Sequence, residues 1–302
     1  MSTDPASLAT DRAPLCAGPD PHPHTARRFT VPAGAVDTHA HVIGLPPDYP
    51  LAPERSYTPI PVSPQQYFAM LDATGMANGV LVQVSVHDTD NRLMLDALRQ
   101  QPKRMRGICV VDASVTDREL EDMAKAGVVG CRFNVLFGGG VGFDALETLA
   151  KRIAPLKWHV QFLLDARNLP ELAPRLVKLP VPFVIDHMGH MPTSAGVSHP
   201  GFQTLLKLVR DADAYVKMSG AYRLSGEGPP YADTIPFARA LVEAAPGRMV
   251  WGSDWPHVAL KGPMPNVGDL LDLLADWVPD EGTRNAILAT NARKLYGFDA
   301  VS

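Results

Sequence analysis

Short apolar runs recur along the chain and alternate with segments of helical periodicity. The runs are rich in Val and Ile and almost continuously hydrophobic, which is typical of strands covered on both faces. The predicted strands are Ala35–Val42, Gly79–Ser85, Arg106–Asp112, Val128–Val135, His159–Ala166, Val181–His187, Ala214–Ser219 and Arg248–Ser253. The predicted helices are Pro64–Thr74, Asn91–Gln100, Asp117–Ala126, Phe143–Leu156, Leu169–Leu179, Phe202–Asp211, Ile235–Ala245, Val267–Trp277 and Thr283–Tyr296. Strand–helix alternation repeated eight times predicts an α/β fold, a (β/α)8 barrel.

The competing architecture is an open, doubly wound sheet. That fold usually carries a Gly-rich phosphate loop after an early strand, and neither of the first two predicted strands is followed by one. The triplet Gly138-Gly139-Gly140 follows the fourth strand but leads to no Gly-Lys-Ser/Thr. The barrel is therefore favoured. We expect it to fill residues 31–302 as one domain, after a flexible lead-in at residues 1–30 that is rich in Pro, Ser, Asp and His.

Composition narrows the class of protein. A hydrophobic fraction of 46%, a charged fraction of 20% and a net charge of −4 suit a globular enzyme, and without a basic stripe nucleic acid is not an expected partner. Three cysteines, an odd number without paired spacing, argue against a disulfide framework and favour a reducing, cytoplasmic location. No apolar run reaches membrane-spanning length, so no membrane association is expected.

Polar residues cluster where the predicted strands end, which is where barrel enzymes place their catalytic groups. The first strand ends in His39-Ala40-His41, whose two imidazoles point the same way because side chains alternate along a strand. Other strands lead into further polar residues, namely Ser85, His87, Asn91, Arg132, Asn134, His187, Arg223, Asp254 and His257. A random scatter would not prefer one end of six strands, so the pattern predicts an enzyme.

His39, His41, His187 and Asp254 together predict one of two kinds of site. Neutral imidazoles with a carboxylate are the usual ligands of zinc or a related divalent ion, which would acidify a bound water. Without a metal, the histidines could donate hydrogen bonds to a carbonyl oxygen while Asp254 activates water. Both versions hydrolyse a C–O or C–N bond at a carbonyl.

Substrate binding is expected to fall to a second group of residues. Arg132 follows Gly130-Cys131 in a core strand, where its buried charge requires an anionic partner. A substrate carboxylate could be that partner, because it can accept two parallel hydrogen bonds from the guanidinium group. Arg223 is a second candidate for binding an anion, and Tyr57 is expected to cover the site. The remaining candidates at the rim are Ser85, His87, Asn91 and His257.

Several motifs resemble the amidohydrolase superfamily, and in particular its branch of lactone hydrolases typified by 2-pyrone-4,6-dicarboxylate lactonase. The motifs span roughly Gly34 to Phe298 in matching order and include Val36-Asp-Thr-His-Ala-His-Val42, Arg132-Phe-Asn134, Val184-Ile-Asp-His-Met-Gly189 and Trp251-Gly-Ser-Asp-Trp-Pro-His257. The resemblance implies a distorted (β/α)8 barrel that hydrolyses a cyclic ester without a required metal. It implies that Asp254 deprotonates water, that His39, His41 and His187 polarise the lactone carbonyl, and that Tyr57, Arg132 and Arg223 bind carboxylates.

The chain departs from that branch in ways that bear on metal and substrate. The fifth strand offers no histidine and the fourth offers Arg132 in place of a bridging Lys, so a binuclear centre is not expected. A single zinc-like ion on His39, His41, His187 and Asp254 is the alternative. Residues 135–140 carry no charge where the branch has basic residues, and Leu163 stands where it has a tyrosine.

We therefore expect a less cationic pocket and a small anionic lactone as substrate. A lactone with one carboxylate, of the muconolactone or sugar-acid type, suits the pocket better than the pyrone dicarboxylate. The reaction would belong to the catabolism of aromatic compounds or sugar acids. The alternative activity is that of a metal-dependent decarboxylase of the same superfamily.

Overall fold

Eight parallel strands form one sheet in which the order of the strands follows their order along the chain. The computed structural model describes residues 4–136, 141–260 and 262–300. The strands are β1 Val36–Ala40, β2 Asn78–Val82, β3 Met105–Cys109, β4 Val128–Asn134, β5 His159–Leu163, β6 Phe183–Ile185, β7 Ala214–Met218 and β8 Met249–Trp251. The residues of β1, β2, β5 and β7 are all buried, as strands covered by helices require. The predicted barrel is confirmed.

Helices surround the barrel and connect its strands. Within the described residues they are α1 Pro5–Leu8, α2 Pro64–Thr74, α3 Arg92–Gln100, α4 Asp117–Lys125, α5 Leu146–Ile153, α6 Leu169–Leu176, α7 Pro200–Asp211, α8 Ala221–Leu224, α9 Ile235–Ala244, α10 Val267–Asp272, α11 Leu274–Trp277, α12 Glu281–Asn285 and α13 Asn291–Tyr296. The last two segments predicted as single helices are divided, the second of them by a π-helical turn at Ala286–Thr290. None of these helices has the length and apolar character needed to cross a membrane.

Several strands are shorter at their carboxyl ends than the apolar runs predict. The runs were expected to continue to Ser85, His187 and Ser253, whereas β2, β6 and β8 end at Val82, Ile185 and Trp251. Beyond these points the chain turns. Ser85–His87 forms a 3-10 turn, and His187 and Asp254 have φ angles of 50° and 61°. Such left-handed conformations cannot continue a strand, so these polar residues lie on turns above the barrel rather than within the sheet.

The barrel closes between β1 and the end of β8 through backbone hydrogen bonds, from His41 N–H to the Trp255 carbonyl and from Asp254 N–H to the His39 carbonyl (both 2.8 Å), and through side chains. The Asp37 carboxylate accepts hydrogen bonds from the Ser253 backbone N–H (2.7 Å), the Ser253 hydroxyl (2.7 Å) and the Tyr67 hydroxyl (3.1 Å). A Cβ atom on Gly252 would lie 2.7 Å from Cβ of His39, so only glycine permits this approach of the two strands. The seam therefore brings the start of the β8 turn, and with it Asp254, directly against His39.

The N-terminal lead-in packs along the barrel in this structure. Thr58, which is fully buried, exchanges backbone hydrogen bonds with Pro14 and Cys16 (both 2.8 Å), and its hydroxyl donates to the Ala13 carbonyl over 2.8 Å. The Cys16 thiol accepts a hydrogen bond from the Ala259 N–H over 3.3 Å. The lead-in thus contacts the segment that carries Tyr57 and the loop that follows β8. Its flexibility stays a prediction.

Candidate active site

Asp254 lies at the centre of the polar cluster at the carboxyl end of the barrel. It is 1% exposed, and each of its two carboxylate oxygens has a different environment. Oδ2 accepts hydrogen bonds from the Tyr222 hydroxyl and from Nε of Arg223, both over 2.6 Å. These two contacts fix the plane of the carboxylate and leave Oδ1 directed at the histidines.

Three imidazoles surround Oδ1 of Asp254. The distances from this oxygen to Nε2 of His39, His41 and His187 are 3.8, 3.9 and 3.7 Å. These separations exceed hydrogen-bond length and leave a space that all four atoms face. The structure therefore brings together the four residues that the sequence predicts as catalytic.

Two of the three rings are oriented by their Nδ1 atoms. Nδ1 of His41 lies 2.7 Å from the Val82 carbonyl oxygen, which can only accept, so this nitrogen carries the proton and Nε2 carries a lone pair. Nδ1 of His187 lies 2.8 Å from the Ser219 hydroxyl. Val82 ends β2, the strand next to the one that carries His41, and Ser219 follows β7, the strand next to the one that leads to His187. The barrel itself therefore sets the planes of the two rings.

The charges of the cluster follow from burial and from Arg223. Burial, the largest single influence, raises the pKa of Asp254, but the charge of Arg223 and the histidines together outweigh burial and hold that pKa well below its usual range. Burial lowers the pKa of His39 to about 4, assisted by the charge of Lys217. Burial likewise holds the pKa of His41 and of His187 well below the ordinary value. At neutral pH the site is an ionised carboxylate among neutral imidazoles.

A second polar layer lies inside the barrel beneath these rings. Asp186 is completely buried; its oxygens lie 3.3 Å from Nε of Arg132, 3.3 Å from Nδ1 of His39 and 3.4 Å from Nζ of Lys217. Gln161 donates from Nε2 to Asp186 (3.0 Å) and accepts from Lys217 (2.7 Å). The sequence analysis did not single out Gln161, Lys217 or Asp186 as site residues. For Gln161 and Lys217 the available signal was a long polar side chain inside an otherwise apolar strand.

A narrow cavity opens beside Asp254. Its walls include both predicted arginines and several apolar groups: His41, Tyr57, Ser85, Arg132, Leu163, His187, Arg223, Asp254, Val258 and Ala259. Tyr57 and Ser85 therefore reach the site as expected. Ser85 also accepts a hydrogen bond from the Asn134 amide over 3.0 Å.

The two arginines differ in how far they are already engaged. Arg223 donates to Asp254 and, from Nη2, to the Val258 carbonyl over 3.0 Å, so it mainly holds the catalytic carboxylate. Arg132 is 4% exposed and meets Asp186 only through Nε. Among the described residues its Nη1 and Nη2 atoms have no hydrogen-bond partner. Arg132 is thus the better equipped of the two to bind a substrate anion.

Three of the predicted substrate-binding residues, Asn91, His87 and His257, are not among the residues that line the cavity. The Asn91 side chain bonds both backbone groups of Val110 (2.8 and 3.0 Å) and so ties two loops together. His87 lies between the Pro50 carbonyl and the Gly44 N–H, both at 3.2 Å. Their polarity satisfies buried backbone groups, a role that sequence position alone does not distinguish from ligand binding.

His257 reaches the site indirectly, through a residue that the sequence analysis missed. The hydroxyl of Tyr222 lies 3.0 Å from Nδ1 of His257 and donates to Asp254. Burial lowers the pKa of His257 to about 4. Tyr222 precedes the predicted Arg223 in sequence, but nothing in the pattern around it indicated that its hydroxyl would reach Asp254.

The cluster has the spacing of a metal site. His39, His187 and Asp254 each offer one ligand atom, and these atoms lie within 4.8 Å of one another. Histidines that bind metals almost always donate their other ring N–H to a carboxylate, carbonyl or water. At His39 that second nitrogen, Nδ1, lies 3.3 Å from Oδ1 of Asp186, but only its contact with the ammonium of Lys217, at 3.2 Å, has hydrogen-bond geometry. A ring nitrogen that faces an ammonium group as well as a carboxylate differs from the usual second contact of a metal-bound histidine.

Comparisons with known proteins agree with this geometry. The sequence profile of the amidohydrolase family matches residues 36–298. The chain is 41% identical to a 2-pyrone-4,6-dicarboxylate hydrolase of Comamonas testosteroni over 89% of this chain and 92% of that protein. It is 39% identical to a 4-sulfomuconolactone hydrolase of Hydrogenophaga intermedia, covering 96% and 97%. A crystal structure from Agrobacterium tumefaciens superposes with a TM-score of 0.83 at 30% identity, covering 92% and 99%.

Decarboxylases are similar to this chain in fold alone. A dihydroxybenzoic acid decarboxylase of Polaromonas, solved with manganese and an inhibitor, superposes with a TM-score of 0.58 at 15% identity. Identity at this level supports a shared barrel and carries no argument about the reaction. The relatives that share much more sequence are named as lactone hydrolases.

Proposed function

This chain belongs to the amidohydrolase family, and on that premise we propose that it opens the ring of a small carboxylated lactone by hydrolysis. The observation that carries the proposal is the position of Oδ1 of Asp254, which is ionised, has no hydrogen bond among the described residues and lies 3.7–3.9 Å from Nε2 of three neutral imidazoles. Two of these rings, His41 and His187, line the cavity together with Asp254. A carboxylate held in this way can accept a proton from water, and imidazole N–H groups can stabilise a developing oxyanion.

The proposed reaction uses only groups on this chain. Water attacks the lactone carbonyl carbon while Oδ1 of Asp254 takes its proton, and an imidazole N–H stabilises the negative charge that forms on the carbonyl oxygen. The ring C–O bond then breaks, and the proton on Asp254 passes to the departing oxygen. Tyr222 and Arg223 keep Oδ2 occupied, so that the proton is taken and returned at Oδ1.

Arg132 would bind the substrate carboxylate through its terminal amino groups. Arg223 is already paired with Asp254, and Leu163 and Val258 are apolar, so the cavity offers one well-equipped anion site. Residues 135–140 add no charge, although residues 137–140 lie outside the described part of the chain. A second carboxylate would be desolvated without a partner. We therefore propose a lactone with a single carboxylate, of the muconolactone or sugar-acid type, in a cytoplasmic catabolic route.

A panel of lactones tests this proposal. Purified protein would be given 2-pyrone-4,6-dicarboxylate, muconolactone and sugar-acid lactones, with acid release followed in a pH-stat and carbon dioxide measured in the headspace. We expect acid release without carbon dioxide, and kcat/KM at least tenfold higher for the best monocarboxylated lactone than for the dicarboxylate. Carbon dioxide release would indicate the decarboxylase instead. No acid from any lactone would overturn the proposal.

Metal analysis of the same preparation completes the test. We propose that no resident metal is required, because the second contact of His39 differs from that usual for a metal-bound histidine. Protein purified without chelators should keep its activity after exhaustive dialysis against EDTA. A stoichiometric zinc ion on which activity depends would overturn this part of the proposal.

A further inference from the structure

Lys217 is a buried charged group that the proposed reaction does not use. It lies in β7 with no exposed surface, and it does not line the cavity. Its ammonium nitrogen lies 2.7 Å from Oε1 of Gln161, 3.2 Å from Nδ1 of His39 and 3.4 Å from Oδ1 of Asp186. Burial lowers the pKa of Lys217 to about 8, so the ammonium form prevails at neutral pH. An ammonium group only donates hydrogen bonds.

Two groups compete for Nδ1 of His39, and their geometry decides between them. Asp186 Oδ1, at 3.3 Å, would require a proton on Nδ1, but this oxygen makes no hydrogen bond in the described structure. The contact with Lys217 does have hydrogen-bond geometry, and there the proton belongs to the lysine. Nδ1 therefore accepts, and the single proton of the neutral ring lies on Nε2.

The neighbouring His41 has the opposite arrangement. Its Nδ1 donates to the Val82 carbonyl, which leaves a lone pair on Nε2. His39 and His41 thus face Asp254 with one N–H and one lone pair. Nε2 of His39 is completely buried and has no hydrogen-bond partner among the described residues. A buried N–H without a partner, 3.8 Å from the catalytic carboxylate, is suited to a substrate oxygen.

We propose that Lys217 is a positioning residue that fixes the Nε2–H tautomer of His39 and so makes His39, rather than His41, the hydrogen-bond donor to the lactone carbonyl. The tautomer itself follows from the contacts of Lys217, whereas its use on a lactone rests on the proposed function. The same tautomer leaves no lone pair on Nε2 of His39 for a metal ion. The contact with Lys217 thereby explains why His39, which has the spacing of a metal ligand, would act as a hydrogen-bond donor instead.

Two-bond ¹H–¹⁵N correlation spectra of ¹⁵N-histidine-labelled protein at pH 7 distinguish the two tautomers directly. The His39 and His41 signals would be assigned from the single variants H39N and H41N. We expect an unprotonated Nδ1 on His39 and an unprotonated Nε2 on His41 in the native enzyme. A protonated Nδ1 on His39 would overturn the proposal with no need for any variant at Lys217.

Lys217→Met provides the second arm. Without the ammonium, Asp186 is the remaining partner of Nδ1, so the proton should move to Nδ1 and kcat should fall about 100-fold with KM within threefold of native. The control is Tyr296→Phe, since the Tyr296 ring lies 5.9 Å from Nζ of Lys217 and the substitution retains the packing. It should leave the His39 signals unchanged.

The outcomes separate the tautomer from the reaction. If K217M folds and keeps the Nε2–H tautomer, Lys217 does not set it. If the tautomer changes while kcat does not, His39 is not the donor. A native enzyme with the expected tautomers that opens no lactone overturns the proposed function and leaves the assignment of His39 standing.

Discussion

Nε of Arg223 donates to Oδ2 of Asp254 over 2.6 Å, in a site from which water is almost excluded. The sequence suggested that Arg223 would bind substrate, but its strongest contact is with the catalytic carboxylate. The contact has two effects. It orients the carboxylate so that Oδ1 faces the imidazoles, and it keeps Asp254 ionised despite its burial. Arg223 therefore holds Asp254 in position and in its ionised form.

Asp254→Asn should lower kcat by at least 1,000-fold because the amide cannot accept the proton from water. The amide is similar in size and can still meet Tyr222, so the fold and the binding of substrate should persist. Steady-state kinetics and calorimetric titration with a slowly reacting lactone measure the two effects. Native turnover in this variant would exclude Asp254 as the base.

Arg223→Met should shift the pH dependence as well as the rate. Loss of the guanidinium charge raises the pKa of Asp254. Asp254 then becomes protonated at a higher pH, and the acidic limb of the kcat/KM profile should move upward. Profiles between pH 4 and 8 measure this shift. Arg248→Met, which removes an arginine paired with Asp213 far from the cavity, should leave the limb in place. An unmoved limb in R223M would contradict the role of Arg223.

Arg132→Met should mainly weaken substrate binding. A charge-assisted contact to a carboxylate contributes about 1.5–3 kcal/mol, which corresponds to a rise in KM of roughly 10- to 100-fold. Asp186 keeps Lys217 and Gln161 as partners, so the core should tolerate the change. The matched control is a neutral lactone of the same ring size, for which native and variant should have equal KM. A KM for the carboxylated lactone that stays at the native value would remove Arg132 from recognition.

Tyr222→Phe should reduce kcat by roughly 10- to 100-fold and leave KM nearly unchanged. The variant loses one hydrogen bond to Asp254 and the link to His257, whereas Arg223 still holds the carboxylate. One lost hydrogen bond to a charged group corresponds to about 1.5–3 kcal/mol. Tyr215→Phe removes a hydroxyl from β7 outside the cavity and should have no kinetic effect. Equal kinetics of Y222F and Y215F would contradict the assignment.

Thr58→Val tests the attachment of the N-terminal lead-in. The variant keeps the shape of the side chain but removes one of the two donors to the Ala13 carbonyl, which still accepts from the Thr10 N–H, and this loss should lower the free energy of unfolding by about 0.5–1.5 kcal/mol. Because Tyr57 is its neighbour, KM should rise as well. Urea denaturation measures the stability change. Thr204→Val, at a partly exposed position in α7, should change it by less than about 0.5 kcal/mol. Equal stability of T58V and native protein would show that the lead-in is not held through Thr58.

The fold could be predicted from the sequence because its signals are local. Alternating apolar runs and helical periodicity specify strands and helices within windows of about ten residues, and eight repeats specify the barrel. The ends of the strands could not be placed, since the turn at His187 depends on a left-handed backbone that surrounding contacts impose. The meeting of the four residues predicted as catalytic could be foreseen because barrels collect strand ends at one rim.

The sequence by itself therefore determined the barrel, the family and the three histidines that surround Asp254. The tertiary structure decided which hydrogen-bond partners each polar side chain has at that rim. Asn91 and His87 satisfy backbone groups, Tyr222 and Arg223 hold the carboxylate, and Lys217 contacts a histidine 178 positions away in sequence. A hydrogen bond forms only if the distance between donor and acceptor is right to within a few tenths of an ångström. For residues far apart in the chain, that distance is set only when the barrel closes.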